Sequence, residues 1–254
     1  MTGPDPATFL SGETGHVAGI RRTALARLAD AALDLRLRAG GAARRLDGAA
    51  ASAPRRTILV MCVHRGTGAP AGLASTRHDV RLELGEAGER GKFQNLNLLL
   101  ERAGGPADWT LVVDDDVVLP EAFLDRMVGV CEEHGFALAQ PAQTRASHAA
   151  WRVTRRRPGL ARESAFVEIG PVTAFRRDSA EEFMPFPDLR YGWGLDLHWA
   201  AVARERGMRL GIVDALPVRH ESGPVAATYS AAAAIEEARA FLDGRPYLRA
   251  GDVA

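Results

Sequence analysis

The stretch Trp109–Pro120 reads WTLVVDDDVVLP. A mostly apolar run ends in three adjacent aspartates, Asp114, Asp115 and Asp116, then apolar character resumes and a proline closes the segment. A short run of this kind is expected for a strand buried on both faces. Adjacent carboxylates repel one another, and an apolar flank worsens this by lowering the local dielectric. In an open α/β sheet, ligands sit at the carboxyl ends of the strands. A strand over 109–113 delivers the aspartates to that edge. Carboxylates clustered there are expected to hold a divalent cation, which removes the repulsion. Hard oxygen ligands favour Mg²⁺ or Mn²⁺ over zinc.

The pattern on either side supports such a sheet. TILVMCVHR (57–65) is another continuous apolar run, and HDVRLEL within 76–84 alternates as a strand does. GKFQNLNLLLERAGG (91–105) predicts a helix ending in glycines, and PEAFLDRMVGVCEEHG (120–135) one that starts at proline and stops at glycine. FALAQPAQ and a segment of SAFVEIGPVTAFRRD (164–178) read as strands. GLDLHWAAVARERG (194–207) reads as a helix, MRLGIVDALPV (208–218) as a strand, and AATYSAAAAIEEARAFLDG as a final helix. Strands alternating with helices predict an α/β fold with a mainly parallel sheet flanked by helices. The basic run RVTRRRPGLARES (152–164) is the expected mobile loop.

Upstream, residues 1–15 read as a loose tail. Residues 17–47 predict a helix, with Ile20, Ala24, Leu28, Ala31 and Leu35 on one face and a break at Gly40–Gly41. GAAASAPRR then reads as a linker. The expected organisation is a tail and helical extension over 1–56, a core over 57–222, and a C-terminal helix packed on it over 223–254. The helix over 17–47 is expected to lie on the domain with its arginines in water. A basic amphipathic helix can also touch an anionic membrane surface, but a face of alanine and leucine without aromatics favours packing.

The chain has 254 residues, 46% hydrophobic and 25% charged, with no net charge. Those are values of an ordinary globular protein, and nothing global points to nucleic acid. Cys62 and Cys131 sit in apolar stretches, as buried thiols do. No apolar run approaches the length of a membrane span. The N-terminus lacks a basic start followed by an apolar core, so a cytoplasmic protein is the expectation. Among 32 basic residues only Lys92 is a lysine, which marks a position suited to a compact ammonium.

LVVDDDVVLP resembles the DXD motif of nucleotide-sugar glycosyltransferases with the GT-A fold, in particular family 2-like enzymes. GKFQNLNLLL resembles the helix before the DXD strand. YGWGLDLHWAAVARERG resembles the later segment where an acidic residue begins a helix below the acceptor site. VRHES (218–222) resembles the C-terminal histidine that completes the metal shell. Together these cover residues 57–222.

The resemblance implies a metal-dependent transfer of sugar from a nucleoside-diphosphate sugar to an acceptor hydroxyl, with inversion. Asp116 would be the main ligand of Mn²⁺ or Mg²⁺, with His220. Asp114 would lie near the nucleoside or ribose and share the metal site, and Asp115 would orient the sugar or contribute to the metal site. Asp196 would be the general base. The family often has Glu-Asp at that motif, where this chain has Leu195–Asp196. Gly192 and Gly194 free the loop, and Trp193 offers a flat face to a sugar ring. Arg65, after His64, would meet phosphate. Glu83 would meet base or ribose, and Lys92 and Asn95, one turn apart, would face the donor. Glu168 and Thr173 would line the acceptor side, and Arg155–Arg157 would close over the diphosphate. Three rival readings share these residues: a retaining transferase, a sugar-nucleotide-binding module without turnover, and a haloacid-dehalogenase-like phosphatase. DDDVVL fits that last family's D-x-D-x-V motif, but the family places it on its first strand with a lysine downstream.

Overall fold

β1 (Thr57–His64) shows why this chain builds a two-faced sheet. Ile58 and Val60 point into one apolar cluster, and Leu59 and Met61 into another. Such a strand has no polar face to give to water, so helices must cover both sides. The computed structural model of the chain describes residues 3–11, 20–66, 68–147, 149–221 and 229–253. Expectations that fall on residues 12–19 and 222–228 lie outside them.

The elements run α1 (Ile20–Ala39), α2 (Ala42–Ser52), β1, β2 (Asp79–Glu86), α3 (Lys92–Ala103), β3 (Trp109–Val113) and β4 (Val117–Val118). There follow α4 (Phe123–His134), β5 (Leu138–Gln143), β6 (Arg162–Ser164), β7 (Val172–Arg176), α5 (Arg177–Phe183), α6 (Leu195–Glu205), β8 (Leu210–His220) and α7 (Ala231–Leu242). The sheet order is β2-β1-β3-β7-β5-β8-β4, with β6 on β8. β1, β2, β3, β5 and β8 run one way, and β7 runs against its neighbours β3 and β5. The fold is thus the expected mainly parallel α/β sheet flanked by helices, preceded by a helical extension. α3, α6 and α7 bury apolar side chains in the cluster on one face, α2 and α4 in the cluster on the other. Cys62 and Cys131 are buried and free.

The reversed strand positions the site. After β5 the chain runs along β8 as β6, reaching Leu210 at the start of that strand, and then returns over residues 165–171 to the carboxyl edge, from which β7 re-enters the sheet. Glu168 to Pro171 are thereby set beside the end of β3, where the Asp114 N–H donates to the Pro171 carbonyl at 2.9 Å.

Four local expectations are corrected. Within the expected tail, Asp5 caps a 3-10 turn over Pro6–Thr8, and Phe9 is buried in the core. The expected linker is largely helix: α2 continues to Ser52 because Leu46, Ala49 and Ala50 are buried, and α2 packs on α4. α1 is rotated from the expected face, so Leu28 and Leu35 point to solvent. The basic loop is pinned. Arg155 donates to the Thr144 carbonyl at 2.9 Å, Arg156 is buried against Asp30 and Asp34, and Arg162 pairs with buried Asp214. A buried guanidinium without such partners would cost several kcal/mol, roughly, so the acids and carbonyls fix its place.

Candidate active site

Five segments converge at the carboxyl edge of the sheet, around a cavity of about 520 Å³. β1 brings Arg65, β3 brings Asp114–Asp116, and the approach to β7 brings Glu168 to Pro171. The start of α6 brings Asp196, and the end of β8 brings His220. Lys92 and Asn95, on the first turn of α3, also line it.

The aspartates are not left to repel one another. Lys92 Nζ lies 2.5 Å from Asp114 Oδ1. Arg65 serves the other two: its backbone N–H donates to Asp115 at 2.8 Å, and its Nη2 reaches Asp115 at 3.1 Å and Asp116 at 3.0 Å. His220 Nε2 sits 2.9 Å from Asp116 Oδ1. Burial pushes Asp115 up, but the hydrogen bonds and charge of Arg65 outweigh it and hold the carboxyl below its usual range. Burial pulls His220 down, yet the hydrogen bond it donates to Asp116 and the charges of Asp114 and Asp116 leave it raised.

Asp114, Asp116 and His220 form a group that could hold a metal ion, their ligand atoms all within 4.8 Å of one another. The two carboxylates suit a hard divalent cation, and the imidazole also admits softer ones. Arg65 is half exposed in its side chain. Exposed ion pairs contribute about 1 kcal/mol or less, so a divalent cation and a diphosphate can displace these contacts. Gly170 makes room here. A Cβ at residue 170 would stand 3.0 Å from Asp114 Oδ2 and 3.4 Å from Lys92 Nζ.

Across the cavity stand two buried carboxyls. Asp196, in the first turn of α6, accepts the Leu197 N–H at 3.0 Å. Burial, reinforced by the charge of Glu168, pushes it up to about 7. Burial likewise pushes Glu168 up to about 7, against the pull of hydrogen bonds from Ala150 and Thr154. Glu168 is held firmly: Gln143 Nε2 donates at 2.8 Å, Thr154 Oγ1 at 2.9 Å and the Ala150 N–H at 3.1 Å. A carboxyl near neutrality beside an apolar surface can accept a proton at ordinary pH.

The loop before α6 is tightly built. At Gly192, with φ +77°, a Cβ would fall 2.0 Å from the Phe93 ring. Glu237 on α7 accepts the N–H groups of Arg190, Tyr191 and Gly192 at 2.6, 2.8 and 2.9 Å. Gly194, at φ +86°, begins α6 and lines the cavity with Trp193. Trp193 Nε1 donates to Tyr229 Oη at 3.0 Å, and Tyr191 stacks near Tyr229 at 4.9 Å.

Sequence reasoning did not find Trp151, Tyr191, Tyr229 or Phe9, which line the cavity, nor Glu237, which holds its loop. Tyr191 carried a signal, two residues before Trp193. The others come from segments that only the tertiary fold brings to the site.

Other expected residues lie elsewhere. Glu83 does not line the cavity: it is on edge strand β2, paired with Arg81 at 2.7 Å and Arg102 at 2.5 Å. Those arginines, one turned in from the strand itself and one from the end of α3, hold the carboxylate away from the cavity. His64 is outside it, accepting the Gly66 N–H at 3.2 Å. Thr173 is buried and donates to the Glu168 carbonyl at 3.1 Å. Arg155–Arg157 are occupied under α1 and beside β8, not over the cavity. Asn95 lines the cavity but spends its amide on the Gly91 carbonyl at 3.2 Å.

No protein-family model and no curated protein sequence matches the chain. Solved structures similar to it include the following three. S. aureus TarS in complex with UDP-GlcNAc shows 13% identity and a TM-score of 0.43, over 68% of this chain and 62% of that one. S. aureus TarS in complex with UDP shows 12% identity and a TM-score of 0.42, over 63% and 58%. GalNAc-T7 with UDP, GalNAc and Mn²⁺ shows 11% identity and a TM-score of 0.44, over 74% and 48%. The chain thus spans less than two thirds of each of those chains. Values this low describe a likeness of fold over part of the chain and no more.

Proposed function

We propose that this chain is a metal-dependent glycosyltransferase of the GT-A type, which moves a sugar from a nucleoside-diphosphate sugar to an acceptor hydroxyl with inversion. One observation carries the reading. A carboxylate–imidazole group suited to a divalent cation and a buried carboxyl near neutrality line the same cavity.

Asp114, Asp116 and His220 would hold Mn²⁺ or Mg²⁺. The cation, when bound there, neutralises the two phosphates and stabilises the departing diphosphate. Arg65 turns from the aspartates to the phosphates, a move its exposure allows. Asp115, with both oxygens on Arg65, positions that guanidinium rather than the sugar. Lys92 neutralises Asp114 and faces the donor side. Trp193, backed by Tyr229, offers its face to a sugar ring. Asp196 takes the proton of the acceptor hydroxyl as that oxygen attacks the anomeric carbon from the side opposite the diphosphate.

The phosphatase reading loses ground on the topology. β1 and β2 precede the aspartates, and Lys92 reaches Asp114 from upstream.

A thermal-shift panel of nucleotide sugars, with and without Mn²⁺, tests the proposal. The expected result is a rise in Tm with one donor class that depends on Mn²⁺. A flat panel, or turnover of a generic aryl phosphate, overturns it.

Glu168 gives a sharper handle on the base. Its charge is one cause of the raised Asp196. Glu168→Gln removes that charge, so Asp196 becomes easier to ionise. The midpoint of the pH profile for transfer is expected to move to lower pH. An unmoved midpoint would detach Glu168 from the proton transfer.

A further inference from the structure

α1 carries apolar side chains on two faces, and among the described residues only one of them is packed against the domain. Ala26, Ala29, Leu33 and Leu37 are half-buried on the inner side. Acids fix that rotation. Asp30 accepts the N–H groups of Arg145 and Ala146, each at 3.0 Å. Arg156, whose side chain is 2% exposed, reaches Asp34 at 2.8 Å and Asp30 at 3.6 Å. These are the only acids of α1: Asp30 is spent inward, and Asp34, half exposed, is held by Arg156.

At about 100° per residue the opposite face presents Leu25, Leu28, Ala32, Leu35 and Ala39, all exposed. Leu25 and Leu28 are 68% exposed and Leu35 is 71% exposed, the highest values for large apolar side chains among the described residues. The same angular steps place Arg36 along one border of the stripe, and Arg27 and Arg38 along the other. All three arginines are exposed.

We propose that this outward face of α1 docks on an anionic phospholipid surface. An apolar stripe with a cationic rim on both sides and no unpaired acid suits the boundary between acyl chains and anionic headgroups. The leucines enter the boundary, and the arginines lie along it with their charges on the phosphates. A second copy of the chain fits worse. Pairing two such stripes would set arginine rims against each other, and the one acid near them, Asp34, is already paired with Arg156. No helix among the described residues is long and apolar enough to cross a membrane, so the contact is peripheral. The segment under α1 runs from Arg145 and Ala146 to Ala149, Ala150 and Trp151, which line the cavity. The docking helix and the candidate active site therefore share one piece of backbone.

Cosedimentation of the full chain with vesicles tests this. The protein is expected to pellet with vesicles of equal parts phosphatidylcholine and phosphatidylglycerol, less so as salt is raised, and not with phosphatidylcholine alone. Leu25→Ser/Leu28→Ser/Leu35→Ser is expected to lose about tenfold or more in binding, and Arg36→Ala/Arg38→Ala about tenfold. Both should keep the Tm of the wild type, since the changed side chains are exposed. Absence of vesicle binding, equal binding to both compositions, or undiminished binding by the triple variant overturns the proposal. A lowered Tm in the triple variant would mean that the chain itself covers the leucines, and also overturns it. So does a concentration-dependent dimer, seen by ultracentrifugation, that the triple variant loses while vesicles are ignored.

Discussion

Asp116→Ala is expected to abolish Mn²⁺-dependent binding of a nucleoside diphosphate, read by isothermal titration calorimetry. Asp116 is the joint of the acidic cluster, with one oxygen on His220 and the other on Arg65. Without it the candidate ligands are Asp114 and His220 alone, which leaves a single carboxylate to neutralise a hard divalent cation. Loss of a partner that merely orients a ligand costs about 10- to 100-fold in metal affinity, so loss of a ligand should cost about a hundredfold or more. The fold should survive, because the guanidinium that Asp116 releases is already half in water and keeps its bonds to Asp115. Arg65→Ala is the informative contrast. It should weaken the diphosphate whether or not Mn²⁺ is present, since a guanidinium meets phosphate directly. Unchanged Mn²⁺-dependent affinity in Asp116→Ala would remove the metal assignment.

Much of this cluster was legible in the sequence because its residues are close in the chain. Asp114–Asp116 follow a strand whose apolar run is unmistakable, and the strand's end fixes where they stand. Lys92 and Asp196 were readable through their positions at helix starts. The repulsion among the aspartates was readable too, but not its remedy. Arg65 and Lys92 neutralise the triplet from separate segments, and only the sheet brings them there. Glu83 shows the opposite failure. The sequence pattern puts it at the end of a strand, yet β2 runs on to Glu86, β2 is the sheet edge, and Arg102 from α3 captures its carboxylate. Helical spacing on α1 likewise identified an apolar stripe but assigned it inward. The rotation was decided by Asp30, Asp34 and a buried arginine more than a hundred residues away. Polar anchors of high sequence separation leave no periodic trace.

Asp196→Asn is expected to keep donor binding and lose transfer by about 10²- to 10⁴-fold, the usual contribution of a positioned base. The amide can still accept the Leu197 N–H through its oxygen, so the start of α6 should be preserved. The pH profile of the wild type supplies the sign. Burial and the charge of Glu168 raise Asp196 to about 7, so below that pH the carboxyl carries a proton and cannot take another. Transfer should therefore climb as pH rises through about 7 and level off above it, and the variant's residual rate should lose that step. Stability must move the other way. A carboxyl raised by folding favours the folded state most when protonated, below its unfolded value of about 4. That contribution fades as pH rises from there through about 7. The distance from 3.8 to about 7 corresponds to at most about 4 kcal/mol. Asp196→Asn carries no such charge, so its Tm relative to the wild type should increase between pH 4 and pH 8. Retained turnover would remove Asp196 as the base. A Tm difference that does not change with pH would remove the buried, raised carboxyl on which the assignment rests.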